Sequence, residues 1–163
     1  MAASLQVAIR VTAPPQRAFD AFTGEIGAWW KPNHLFEFTR RRSGALAFEP
    51  GPAGRLTETY EDGSVFEIGR ITAWEPPHRL ALTWRQASFR DDQVTHVEVH
   101  FDAVGAGETR VTVRHAGWDS VPQDHVARHG FPLGVFQQRH AEWWQALLAS
   151  YREKLAAQQA RHT

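Results

Sequence analysis

Hydrophobic positions recur at two different periods along this chain. Between Leu133 and Gln159, Phe136, His140, Trp143, Trp144, Leu147, Leu148, Tyr151 and Leu155 recur at spacings of three and four. At roughly 100° per residue they fall on one stripe about 120° wide, which predicts a helix with one buried face. Gln138, Arg139, Glu142, Arg152 and Glu153 fall off that stripe. Pro132 fits the helix start, and no proline or glycine interrupts the run from Val135 to Gln159. This is the only long amphipathic helix in the pattern, so its aromatic face needs a cover of another kind.

The rest of the chain carries the period of a strand. Leu5, Val7, Ile9 and Val11 alternate with Gln6, Ala8, Arg10 and Thr12, which predicts a half-buried strand over Ser4 to Ala13. Pro14-Pro15 ends it and suits the first turn of a short helix with Ala18, Phe19 and Phe22. Gly24 and Gly27 precede a second short helical piece carrying Trp29 and Trp30, closed by Pro32-Asn33-His34. Six further runs follow between turn signals: Leu46 to Phe48, Leu56 to Tyr60, Val65 to Trp74, Leu80 to Trp84, Val94 to Val104 and Thr109 to His115. They read as an antiparallel meander. A loop with a short helix, Gln123 to His129, then leads to the long helix.

The later strands have distinct faces. Leu80, Leu82 and Trp84 share one, and Val97, Val99 and Phe101 stand opposite His96, Glu98 and His100. Val111 and Val113 share a face with His115, opposite Arg110, Thr112 and Arg114. One polar and one apolar face mean that a single side of the sheet is covered. The expected architecture is therefore α+β: a curved seven-stranded antiparallel sheet, two short helices, and the long C-terminal helix over the concave face. One domain over residues 1–163 is expected, a length that suits a sizeable core.

Composition narrows the function classes. Formal net charge is zero, so nothing electrostatic argues for nucleic acid or an anionic membrane. The absence of cysteine excludes disulfides and thiolate chemistry. No signal segment or apolar run of membrane-spanning length is seen, and a soluble cytoplasmic protein is the default expectation. The basic residues are nearly all Arg, which suggests a GC-rich bacterial genome. Seven Trp and ten Phe are the unusual feature. Large rings carry large buried areas, and they also line small-molecule pockets.

At this point four motifs in order resemble a known family. Gly69-Arg70-Ile71, Trp74-Glu75-Pro76-Pro77-His78-Arg79-Leu80 and Thr83-Trp84 resemble the most recognisable hairpin of the START-like (SRPBCC) superfamily. The branch they resemble is that of homologues of the activator of the heat-shock-protein-90 ATPase. Thr12 to Thr23 resembles the first strand and helix, Trp29-Trp30 the paired Trp after the second helix, and Val111 to Trp118 the last strand and its exit. The resemblance covers about residues 5 to 157. It implies a helix-grip fold whose sheet and long helix enclose a cavity. Relatives bind lipids, hormones or polyketides, and some catalyse cyclisation or hydrolysis, so fold alone leaves function open. The chaperone-activating relatives carry a separate N-terminal chaperone-binding domain, for which this chain has no room.

The candidate cavity wall is Trp29, Trp30, Phe66, Trp84, Trp118, Phe136, Trp143, Trp144 and Tyr151, and the candidate polar anchors are His115, His140 and Glu67. The plainer reading of His115 is a core imidazole satisfied by backbone or water; the functional one is a ligand anchor that faces His140. Paired imidazoles are also material for acid–base chemistry. Three metal-like groupings carry less weight. His96, Glu98 and His100 lie on the polar face, His125 and His129 lack a third ligand, and Arg40-Arg41-Arg42 reads as a solvated loop. No glycine-rich phosphate loop and no nucleophile-elbow serine is present, so neither a cofactor nor a metal is expected. The favoured expectation is a binding module for a small, largely apolar lipid-, polyketide- or aromatic-like molecule. The rivals are a cyclase or hydrolase of such a molecule, and a chaperone-interacting protein with a vestigial cavity.

Overall fold

The structure is a computed structural model and describes residues 4–31, 33, 36–39 and 42–161. Its strands are β1 (Ser4–Val11), β2 (Ala45–Phe48), β3 (Arg55–Thr59), β4 (Val65–Glu75), β5 (Arg79–Trp84), β6 (Thr95–Gly105) and β7 (Glu108–Ala116). Its helices are α1 (Pro15–Gly24), α2 (Ile26–Trp29) and α3 (Leu133–Arg161). All seven strands pair antiparallel in the order β1-β7-β6-β5-β4-β3-β2. The meander from β2 to β7 follows from the short turns, and β1 closes on β7. The sheet is curved and α3 packs across its apolar face, so the helix-grip architecture is the one found.

Burial follows the two periods. Leu80, Leu82, Val97, Val99, Phe101, Val111 and Val113 are buried from the sheet, and Phe136, His140, Trp143, Trp144, Leu147, Leu148, Tyr151 and Leu155 from α3. Ser150 joins the helix stripe by donating to the Trp29 carbonyl at 2.8 Å, and the Tyr151 hydroxyl donates to the Ala18 carbonyl at 2.7 Å. Both bonds pin the short helices to α3. Pro15 opens α1 without a polar cap, and Ala18, Phe19 and Phe22 face the core.

Two irregularities matter for the site. The pairing of β3 with β4 slips by one residue at Ile68, and the pairing of β4 with β5 slips again at Thr72. Gly69 sits at the first bulge because a Cβ there would meet the Thr83 carbonyl oxygen at 1.7 Å. The segment expected as a helix over Gln123 to His129 forms only a single 3-10 turn, Val126–Arg128, with His129 left-handed at φ 52°. His125 and His129 therefore share no helix face. Of the motifs read from sequence, Pro32, His34, Arg40 and Arg41 lie outside the described residues.

Candidate functional site

The aromatic side chains divide into two groups along α3. Towards its C-terminal half, Trp29 packs on Phe22 (4.9 Å between ring centroids) and on Tyr151 (5.4 Å). The polar atoms of this group are satisfied, since Trp29 Nε1 donates to the Ala21 carbonyl at 3.2 Å and Tyr151 is bonded to Ala18. Burial pushes the Tyr151 phenol up, so it stays protonated. Trp29 and Tyr151 are thus structural core on geometry alone.

The second group gathers around His140, which is fully buried. Its ring lies 4.6 Å from Phe36, 4.6 Å from His115, 5.3 Å from Trp118, 5.4 Å from Trp143 and 5.7 Å from Phe136. Trp30 joins through Trp143 at 5.3 Å, and Trp84 through Trp144 at 5.5 Å. Eight of the expected site residues, His115 among them, therefore form one contiguous set, drawn from β5, β7 and α3 together with Trp30 just past α2 and Trp118 just past β7.

His115 is held in one protonation state by a directed chain. Trp144 Nε1 can only donate, and it reaches His115 Nδ1 at 3.2 Å, so Nδ1 is the bare nitrogen. The proton then sits on Nε2, which donates to Thr95 Oγ1 at 2.7 Å, and Thr95 in turn donates to the Trp84 carbonyl at 2.7 Å. Burial, reinforced by His140 and His96, lowers the His115 pKa well below its usual range. Both nitrogens are occupied by the protein itself. The anchor role expected for His115 has no free atom to serve it in this arrangement.

His140 is the opposite case. Among the described residues neither of its ring nitrogens has a hydrogen-bond partner, and the Nε1 atoms of its neighbours Trp118 and Trp143 also have none. Burial alone pushes the His140 pKa down to about 3, so the ring is neutral. Buried polar atoms are almost always paired, and each unpaired one costs about 1–3 kcal/mol. Four such atoms on three touching rings are the chemical peculiarity of this interior.

Glu67 does not enter it. Its carboxylate lies on the other face of β4, 3.3 Å from Arg70 and 3.9 Å from Arg55. Phe66 is half-buried, with the Arg85 guanidinium 5.8 Å from its ring centre. The carboxylate that does face inwards is Glu58, which sequence reasoning missed. It is buried, accepts from the Tyr60 hydroxyl at 2.5 Å and from the Gly44 N–H at 3.1 Å. Burial first, then the Glu58 carboxylate, pushes the Tyr60 phenol up to about 12. The signal was present: Glu58 lies two residues from Leu56, on the same face. Phe36 and Phe38 were also missed, because an irregular segment carries no period. Between them and Trp30, Glu58 and Trp143 lies a recess of about 10 Å³, which holds at most one water molecule.

The remaining groupings are engaged in ordinary contacts. Glu98 pairs with Arg79 at 3.2 Å and His100 at 2.5 Å on the outer sheet face. His125 Nδ1 accepts from the Ala127 N–H at 3.0 Å, and Nε2 donates to the Ser88 carbonyl at 3.0 Å. Among the described residues no group of three or more His, Asp or Glu is arranged to hold a metal. No helix among them is long and apolar enough to cross a membrane.

Comparison with known proteins places this geometry among relatives. The family model described as "Activator of Hsp90 ATPase homolog 1-like protein" matches residues 12–152. An anthrahydroquino-γ-pyrone synthase, Txn09, is similar at 31% identity and a TM-score of 0.56, covering 92% of this chain and 95% of its own. An Hsp90 activator from Plasmodium falciparum superposes with a TM-score of 0.61 at 20% identity, covering 94% and 96%. The Aha1 dimer from Colwellia psychrerythraea does so at 0.62 and 14%, covering 94% and 96%. Both of these share the fold. Among curated proteins no sequence match is found.

Proposed function

The chain belongs to the family of activator-of-Hsp90-ATPase homologue 1-like proteins, and from that premise we propose that it binds a small aromatic molecule between its sheet and long helix. The observation that carries this reading is the unpartnered nitrogen set of Trp118, His140 and Trp143. A ligand that pairs with it recovers free energy the folded protein otherwise forgoes. The aromatic walls around it suit a flat, mostly apolar molecule. The 31%-identical relative named for an anthrahydroquino-γ-pyrone product supports the same class. The recess is of single-water size, so the ligand takes the place of the Phe36 ring, which covers His140 and Trp143.

The neutral dye Nile red tests this. It should bind the native protein in one-to-one stoichiometry with blue-shifted emission, and Phe36→Ala should bind it several-fold tighter. If neither protein takes up dye below its unfolding transition, the binding reading fails.

A catalytic reading has one observation in its favour, the synthase named for that same relative. Against it stands the state of the two imidazoles. His115 is fully bonded, and a His140 with a pKa of about 3 is a weak base at neutral pH. Conversion of an anthrahydroquinone by the purified protein, lost in His140→Phe, is the result that would establish it. The family description also supports a chaperone contact. Stimulation of an Hsp90 ATPase by the purified chain would test that.

A further inference from the structure

We infer that the ligand of this site is an uncharged planar ring system that carries a hydrogen-bond-accepting oxygen, such as an aryl ketone. The inference rests on the ligand-binding reading above and goes further by fixing charge and polarity. Trp118 and Trp143 each offer one N–H and no acceptor, and a neutral His140 offers one N–H and one bare nitrogen. Three donors therefore stand against a single acceptor. A carbonyl or pyrone oxygen accepts two hydrogen bonds and so pairs with two of these donors, while a hydrocarbon leaves all of them unpaired.

Charge is disfavoured by the rings in contact with these atoms, since the buried cation nearby, Arg128, lies 5.4 Å from the Phe136 ring centre and already donates to the Val121 and Phe131 carbonyls. The rings touching His140 are Phe36, His115, Trp118, Phe136 and Trp143, none of which carries a formal charge. A carboxylate among them would lose its hydration without a counter-ion. Glu58 borders the recess beside Trp143 and repels an anion further. Arg42 lies at the rim of the same recess, but it is already paired with Asp62 at 3.0 Å and rests 4.0 Å from the Tyr60 ring centre. Flatness follows from the platform. His140 and Trp143 are inclined by only 18°, and Phe36 stacks over both, at 30° and 17°. A planar ring of the ligand reproduces that stacking.

Three probes of matched skeleton test this: 9-fluorenone, fluorene and 9-fluorenone-4-carboxylate. Fluorenone should bind about tenfold tighter than either of the others, since one well-made hydrogen bond corresponds to about that factor. The indole N–H resonance of Trp118 or Trp143 should move on binding, while that of Trp144, held by His115, should stay. Trp143→Phe and His140→Phe each keep a ring in place and should cut fluorenone's advantage over fluorene to about twofold. Equal binding of fluorenone and fluorene overturns this inference and leaves the binding reading intact, because the site would then read shape alone. Tightest binding by the carboxylate overturns the charge assignment. If none of the three binds, both readings fall.

Discussion

Trp144 does two jobs that a conservative change can separate. Its ring fills the core, and its N–H fixes the His115 tautomer. Trp144→Phe keeps most of the ring and deletes the donor, leaving a bare buried nitrogen on His115. The expected loss is about 1–3 kcal/mol from the unsatisfied acceptor, with a smaller contribution from lost volume. Chemical denaturation of the variant measures it. A double variant with His115→Phe should recover part of the loss, because removing both partners leaves no orphan atom. Trp143→Phe, one residue away, removes an N–H that has no partner and should cost much less. Two adjacent tryptophans thus differ in role because their nitrogens differ in company.

At the scale of elements, α3 was the most legible part of the chain. Every residue assigned to its stripe is buried, and Gln138, Arg139, Glu142, Arg152 and Glu153 are exposed. Leu147→Ala should therefore cost about 2–5 kcal/mol, and Arg152→Ala a few tenths; thermal or chemical unfolding of the pair distinguishes them. The strands were legible as elements but not always as faces. Counting back from Ile71 by twos puts Glu67 inside, and the extra residue at Ile68 reverses that parity, so Glu67 lies with Arg55 and Arg70. Glu58 needed no such correction, only attention to alternation with Leu56. The faces alone allowed His140 to lie opposite His115, but that the two rings meet, at a centroid distance of 4.6 Å, no spacing rule could supply. Phe36, which covers the site, comes from irregular backbone, where neither period applies.

For the whole molecule, the two buried imidazoles set the acid limb of stability. Both have pKa values lowered by folding, so the unfolded chain binds more protons below its usual histidine range, about 6.5. Their contribution is fully present above that pH and falls as pH drops towards 3, the His140 value. Each ring should remove about 1 kcal/mol per pH unit in that window. Glu25 and Glu98, whose pKa values are lowered by Arg17 and Arg79 respectively, keep their stabilising contribution until pH falls into the ordinary carboxylate range and lose it below. Between pH 6.5 and about 4.5 the slope belongs mainly to histidine. His140→Phe should flatten it in denaturation midpoints measured across that range, and an unchanged slope would show that the ring is not buried neutral. The chain of donors through Trp144, His115, Thr95 and the Trp84 carbonyl has a consequence of another kind. It threads α3, β7, β6 and β5, elements distant in sequence, and it closes only when all four are correctly aligned. Sliding β7 one residue along β6 would bring Arg114 or Ala116 to the place of His115. The indole would then lose its acceptor, and the threonine would keep only its bond to the Trp84 carbonyl, with a cation or a methyl between them. A misaligned sheet is thereby marked as wrong where the ends of β5, β6 and β7 meet α3, and the five polar atoms of these four residues serve as a registration mark for the fold.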